Sequence, residues 1–251
     1  MYKILANTLF LGKDIISLPE CHSTNDVAVE KIKSREAAEG TIVITEKQTK
    51  GKGQRGNVWE SQAGKNLTFS LVLSPKFLQP MQQFDLNIAV SVAVHELLSE
   101  YVSGLKIKWP NDIVHETDGK LGGMLIENII GQKGIEFSVA GIGLNINQRF
   151  FENLSATSLT NLSGIDFDKW EIFKLLIHKI EVYYLELKKG NLKKLNLYYL
   201  NNLFRYQEWA NYCDSENFVG MIMGVQDDGK LIIQKEDGIK NYYGVKEVSF
   251  L

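Results

Sequence analysis

Three short stretches of this sequence combine residue types that handle anions. The longest, Lys106 to Glu127, reads KIKWPNDIVHETDGKLGGMLIE. The apolar pattern of Ile107, Trp109 and Ile113 resumes at Leu121, Met124, Leu125 and Ile126, and is interrupted by Asn111-Asp112 and a turn at Asp118-Gly119. A carboxylate buried without a partner costs several kcal/mol, so Asp112 belongs at a wet rim or in a polar site. A second stretch is Gly51-Lys52-Gly53-Gln54-Arg55-Gly56. Its glycines let backbone N–H groups approach an anion, and Lys52 and Arg55 add positive charge. It matches the G-x-G-x-x-G dinucleotide fingerprint by letters alone: the next element reads as a strand, and the position 20 residues past Gly56 is Lys76 rather than an acid. It is not a Walker loop either, and a solvated surface loop is its plain alternative. The third stretch, Ser23-Thr24-Asn25-Asp26, reads most simply as a helix cap. No serine, cysteine or histidine stands in a recognisable triad context. The four histidines, His22, His95, His115 and His178, share no metal-ligand spacing and read as surface or satisfied core residues.

The elements that must hold these residues follow from periodicity. A short helix runs from the Ser23 cap and is expected to end at Gly40; TIVITEKQ and NLTFSLVLS read as strands on either side of the glycine loop. Gln79 to Val102 reads as a helix with Leu86, Ala89, Val90, Ala93, Leu97 and Leu98 on one face. The Lys106–Glu127 hairpin and a strand GIEFSVAGIGLNIN come next, then a helix capped by Asp168 and another from Leu192 to Phe204. Short strands broken at Asp228-Gly229 and Asp237-Gly238 then read as a small β-barrel, the change of character falling between Tyr206 and Asn217. The expected division is a domain of residues 1–208 and an appended unit of residues 209–251.

Bulk properties narrow the function. The chain has 251 residues, enough for one large domain with an appendage, and 28 basic against 30 acidic side chains leave no field advertising a polyanion-binding surface. Cys21 and Cys213 are far apart and suit a reducing cytoplasm rather than a disulfide framework. No signal peptide or membrane span is read, and about twenty residues before Ser23 are too few for a helix-turn-helix module. The expectation is a cytoplasmic protein with neither a nucleic-acid nor a membrane partner.

Taken together, Ser23-Thr24-Asn25, Gln48, the Gly51–Gly56 loop with Trp59, Lys108-Trp109-Pro110-Asn111-Asp112, Lys120-Leu121-Gly122-Gly123 and Gly141-Ile142-Gly143-Leu144-Asn145 resemble the biotin-protein ligases, in the family's order. The C-terminal strands resemble that family's SH3-like domain. The resemblance implies an α+β fold with a mixed, mainly antiparallel sheet packed by helices, and the monofunctional type without a DNA-binding segment. It also implies a two-step reaction. Biotin and ATP give biotinyl-5'-adenylate and pyrophosphate, and a lysine of a biotin carboxyl carrier domain then takes the acyl group. Ser23, Thr24, Asn25 and Gln48 would bind the biotin head group, and Lys52, Gly53, Gln54, Lys120 and Gly123 would complete its site. Arg55, Trp59, Lys108, Asn111, Asp112 and Asn145 would face the nucleotide. Lys120, Asp112 and Arg55 would carry the chemistry, with Lys120 stabilising the transition state. An aspartate carboxylate is a weak base for an ammonium, so orientation is the role implied for Asp112. Mg²⁺ would travel on phosphate oxygens and water, with no dedicated metal ligands. A homodimer is left open. So are a lipoate or octanoyl transferase of the same superfamily and a non-catalytic, biotin-responsive binding protein.

Geometry sets a condition on this site. With a two-residue turn at Asp118-Gly119, Asp112 would lie roughly 16 Å along the ladder from Lys120. A shared site therefore requires a wider loop across residues 115–119, bringing the two Cα atoms to about 10 Å. The loop also departs from the family pattern G-R-G-R-x-G. Lys52 keeps charge without the planar fork, and Gln54 has none, which implies weaker retention of the adenylate.

Overall fold

The computed structural model describes residues 7–152 and 155–251. Its main sheet holds β1 (Ile15–Leu18), β2 (Ile42–Thr45), β3 (Leu67–Leu73), β4 (Leu105–Lys108), β5 (Asp112–His115), β6 (Gly119–Gly131) and β7 (Gly134–Leu144). Their order is β1-β2-β3-β7-β6-β5-β4, with β1 and β2 parallel and every other pair antiparallel. The expected mixed, mainly antiparallel sheet is what forms.

Every residue of β2 and β3 is buried because both faces of the sheet are covered, and alternate side chains go to alternate faces. Val43, Val72 and Val139 meet Val27 and Ala28 of helix α1 (Thr24–Lys33). Ile42, Ile44, Phe69, Leu71, Leu73 and Ile142 meet the helical layer on the opposite side. That layer contains α2 (Gln83–Leu98), α3 (Leu159–Ser163), α4 (Lys169–Lys188) and α5 (Leu192–Asn201). Helix α2 is apolar nearly all round and is wedged between the sheet and α4, so it is buried on every side rather than along the one face that spacing predicts. Asp168 caps α4 as expected, its carboxylate accepting from the Trp170 and Glu171 amides. His95 in α2 is a satisfied core histidine, hydrogen-bonded to Leu105 O and the Tyr198 hydroxyl.

Several boundaries differ from the sequence expectation. Helix α1 stops at Lys33 instead of Gly40, because the chain reverses through Arg35 at φ 60°. Ser23 makes no side-chain cap bond. The first arm of the Lys106–Glu127 hairpin is two strands: Trp109-Pro110-Asn111 forms the turn between β4 and β5, so Trp109 is a buried turn residue. Strand β1 and helix α3 are too short for periodicity to register.

The last strands, β8 (Trp209–Cys213), β9 (Asn217–Val225), β10 (Leu231–Lys235), β11 (Lys240–Tyr243) and β12 (Ser249–Phe250), form a second antiparallel sheet in the order β11-β10-β9-β8-β12, the SH3-like unit. Both Asp-Gly turns fall between its strands. Its core residues Tyr212, Ile222, Leu231 and Ile233 belong to the same apolar cluster as the main domain. The Trp109 indole N–H donates to Gly229 O at 2.9 Å across the junction.

Candidate functional site

One row of the sheet organises the site. Thr45, Thr68, Gly143, Gly123, Asp112 and Lys108 are consecutive cross-strand partners from β2 to β4. Ser70, Gly141 and Leu125 form part of the row beside it. Three glycines on this face leave room where neighbouring strands carry side chains. Above them opens a cavity of about 1300 Å³ that contacts 23–25, 52–54, 109–112, 141–143 and the C-terminal Val245, Val248, Ser249 and Phe250. That exceeds the few hundred to 1,000 Å³ of an ordinary small-ligand pocket.

The Asp112–Lys120 geometry is the central feature. Gly119, at φ 93°, pairs with His115, leaving Glu116, Thr117 and Asp118 as a three-residue loop, so the wider loop forms. Beyond it the register shifts: Val114 faces Lys120 while Ile113 faces Gly122, making Leu121 an extra residue in β6. Side chains three apart on a regular strand point to opposite faces. The Leu121 bulge re-phases β6, so Lys120 and Gly123 share the cavity face while Leu121 is fully buried in the core. Lys120 Nζ reaches Asp112 Oδ1 at 2.7 Å over Gly123, where an added Cβ would lie 3.0 Å from each of those atoms. The Lys120 backbone is pinned in turn, its N–H donating to Ser155 O and its carbonyl accepting from Thr157.

At the other end of the cavity α1 presents Thr24 and Asn25. Gln48 Oε1 accepts the Thr24 amide at 2.7 Å and replaces the missing cap. The Asn25 amide donates to Glu127 at 2.6 Å and to Leu125 O, while its carbonyl accepts from Ser70 at 2.6 Å. The group sits directly on Gly141, where a Cβ would come 2.3 Å from Asn25 Oδ1. Ser70 also lies 2.7 Å from the Thr24 hydroxyl, so Thr24 and Asn25 are held in a polar cluster, with Ser23 lining the cavity beside them.

The glycine loop closes the side between these ends. It is a miniature hairpin: Lys52 bridges Val58, the Gly53 amide donates to Asn57 O, the Trp59 amide donates to Gly51 O, and Gln54–Gly56 form a 3-10 turn. The side chain of Arg55 lies outside the described residues. The Trp59 indole rests on Gly143, with Lys120 Nζ 5.6 Å from its ring centroid, and its buried N–H has no partner among the described residues. Asn145 is 3 % exposed at the cavity wall; its amide donates to Thr157 O, and its carbonyl has no partner among the described residues. Asn111 is tied to β6 through its side-chain hydrogen bond to Met124 O.

Two expected site residues are placed differently from the rest. Lys108 is not part of the cavity wall; its ammonium lies 4.8 Å from the Phe250 ring centroid, and burial lowers its pKa against the pull of Asp112. Lys52 lines the cavity but is ion-paired with Asp26 on α1. Sequence reasoning missed Ser70, Glu127 and the C-terminal wall. The alternating Gly141-Ile142-Gly143 was the available signal for a cleared strand face, whereas nothing local marks the others.

A cleft walled by amides, hydroxyls and a cation–carboxylate pair suits activation of a small carboxylic acid by a nucleotide. The mixed sheet with its SH3-like appendage places the molecule among the protein ligases. Comparison with known proteins narrows this class: the model described as the Biotin/lipoate A/B protein ligase family matches residues 18–147, and the chain belongs to that family. It is 30% identical to the bifunctional ligase/repressor BirA of Bacillus spizizenii over 94% of this chain and 74% of that protein. It is 27% identical to the biotin–[acetyl-CoA-carboxylase] ligase of Mycobacterium tuberculosis, covering 84% and 79%. Among solved structures, the biotin protein ligase of Aquifex aeolicus in complex with biotin and ATP superposes with a TM-score of 0.78 at 27% identity, covering 95% and 99%.

Proposed function

We propose that this protein condenses biotin with ATP to biotinyl-5'-adenylate and transfers the biotinyl group to a lysine of a biotin carboxyl carrier domain. The observation that carries the reading is the Lys120–Asp112 pair, set on a glycine-cleared face beneath an amide-rich loop. A biotin carboxylate oxygen attacks the α-phosphorus and pyrophosphate leaves, bringing two anions together. Lys120 offsets the charge that grows between them, with Gln54 of the loop lining the cavity beside it. In the second step an acceptor amine attacks the acyl carbon and AMP departs with its bonding pair. Asp112 holds Lys120 in place and orients the incoming amine.

Ser23, Thr24, Asn25 and Gln48 form the end suited to the polar biotin head group. Arg55, Trp59, Asn111 and Asn145 face the nucleotide, and Lys108 supports that end from behind Asp112. Residues 1–208 form the catalytic domain, and residues 209–251 close the rim of the site. Two anionic substrates call for Mg²⁺, carried on phosphate oxygens and water. No helix among the described residues is long and apolar enough to cross a membrane. The two free cysteines suit a cytoplasmic location.

The test is ATP–pyrophosphate exchange dependent on biotin, followed by labelling of a purified carrier domain. Lys120→Met is expected to lower adenylation about 10²- to 10³-fold. Exchange supported by lipoate and not biotin would overturn the substrate, and an unimpaired Lys120→Met would overturn the mechanism.

A further inference from the structure

Asp26 stands on the first turn of α1, outside the cavity wall, yet its carboxylate is the partner of Lys52, the first cation of the glycine loop. The two elements are already stitched together near the loop's root. The Lys50 amide donates to His22 O at 2.8 Å and the Thr49 amide to Cys21 O at 2.9 Å. Beyond Lys50, the backbone bonds of the miniature hairpin among the described residues are its own, Gly53–Asn57, Asn57–Gln54 and Trp59–Gly51, and its outer residues Gly56, Asn57 and Val58 are exposed. The Lys52–Asp26 contact adds a side-chain tie from this hairpin to the helix that presents Thr24 and Asn25.

We infer that Asp26 is a positioning residue for the reaction: by anchoring Lys52 it holds the glycine hairpin, and with it Trp59, folded over the site before substrate arrives. The inference rests on the ligase reading for its functional consequence, but not for its structural one. Three observations support it. Asp26 is the residue next to Asn25, so the tie runs between the loop and the proposed head-group site without passing through the ligand. The carboxylate lifts the Lys52 ammonium above the usual lysine range, chiefly through their hydrogen bond, with Glu127 adding to the same field. Finally, Asp26 is shared: His22 Nε2 lies 3.9 Å from its other oxygen and 3.7 Å from Glu30, so the anchor sits in a small charged cluster rather than alone.

The pair is half-exposed, with 47% of the Lys52 side chain accessible, so its effect is modest; ties of this kind shift an equilibrium by up to about fivefold. The experiment is amide hydrogen exchange of residues 51–59 in the ligand-free, full-length protein. Asp26→Asn is expected to speed exchange at the Gly53 and Trp59 amides severalfold while leaving the thermal midpoint unchanged. Lys52→Gln should produce the same acceleration, the double variant no more than either single, and Asp26→Glu should restore slow exchange. In turnover, Asp26→Asn should raise the KM for biotin by a similar factor at unchanged kcat. Wild-type exchange in Asp26→Asn, or multiplicative acceleration in the double variant, would overturn the inference. Absence of any biotin-dependent turnover in the wild type would overturn the ligase reading and leave the exchange comparison intact.

Discussion

Gly143→Ala isolates the steric logic of the site. Gly143 lies at the centre of the cleared row, and a Cβ built there would meet the Trp59 indole at 2.4, 2.6 and 2.8 Å. Ordinary contact begins near 3.4 Å, so the indole must withdraw by about 1 Å or the strand must yield. Strand β7 is paired along both edges and anchored in the main core through Ile142, whereas Trp59 ends a loop whose tip is exposed. The indole is therefore the part that moves. Overpacking that a core cannot relieve costs about 1–3 kcal/mol, but relief by a side chain at the surface keeps the loss in stability well below that. The site bears the consequence, because Trp59 forms the wall beside Lys120 and a misplacement of about 1 Å in a catalytic arrangement can cost about 10²-fold. Biotin-dependent pyrophosphate exchange should lose roughly that factor in kcat/KM, with a thermal midpoint within a few degrees of wild type. Gly131→Ala, on the same pair of strands but facing only the flexible Glu136 side chain, is the control and should be silent. A Gly143→Ala protein that turns over normally, or one that unfolds, would show that the indole does not give way as reasoned.

Burial raises the Asp85 carboxyl to about 6, with Asp227 of the C-terminal unit adding repulsion. Its folded pKa exceeds the unfolded one, so the stabilising proton is fully present below about pH 4 and lost as pH rises through 6. Asp85→Asn should therefore gain on the order of 1–3 kcal/mol at pH 8 and nothing at pH 4, read by urea unfolding across that range; a gain independent of pH would refute the assignment. Glu181, 3 % exposed on α4, accepts the Leu9, Phe10 and Leu11 amides at 2.6–2.9 Å. Glu181→Ala leaves those donors unmet and should cost about 3 kcal/mol or more, with faster exchange at residues 9–11; an unchanged thermal midpoint would argue otherwise. Gln54→Arg should reduce biotinylation of bystander proteins if the missing charge weakens adenylate retention, and equal labelling by both proteins would reject that view.

Much of the site was legible because its chemistry is written in local motifs. The glycine loop, the Asn-Asp interruption and the Lys-Leu-Gly-Gly segment each violate the pattern of a buried strand, and all three meet at one cavity. The need for a wide loop followed from the reach of a lysine. Which residue would be extruded did not, since a bulge depends on how both strands pack, and nothing in Lys120-Leu121-Gly122-Gly123 marks Leu121 as the extra one. Ser70 and Glu127 are silent for a similar reason: each lies in an ordinary strand, and its role arises only from what stands across the sheet. The end of α1 was misjudged because the alanines and glutamates of residues 36–39 are good helix formers, and the Arg35 reversal overrides that propensity. Helix α2 shows the reverse limit, since wall-to-wall burial erases the stripe that periodicity seeks.

The rank of partners from Thr68 to Asp112 draws one residue from each of four adjacent strands, so the floor of the cleft is as sensitive to alignment as a comb is to a missing tooth. Losing a single residue from the unbulged stretch between Gly141 and Leu144 would bring Leu144 up through the floor in place of Gly143. Insertions in the connecting loops leave that alignment untouched. Diversification of this molecule is therefore channelled to its turns and its C-terminal rim, while the strands beneath are locked in step.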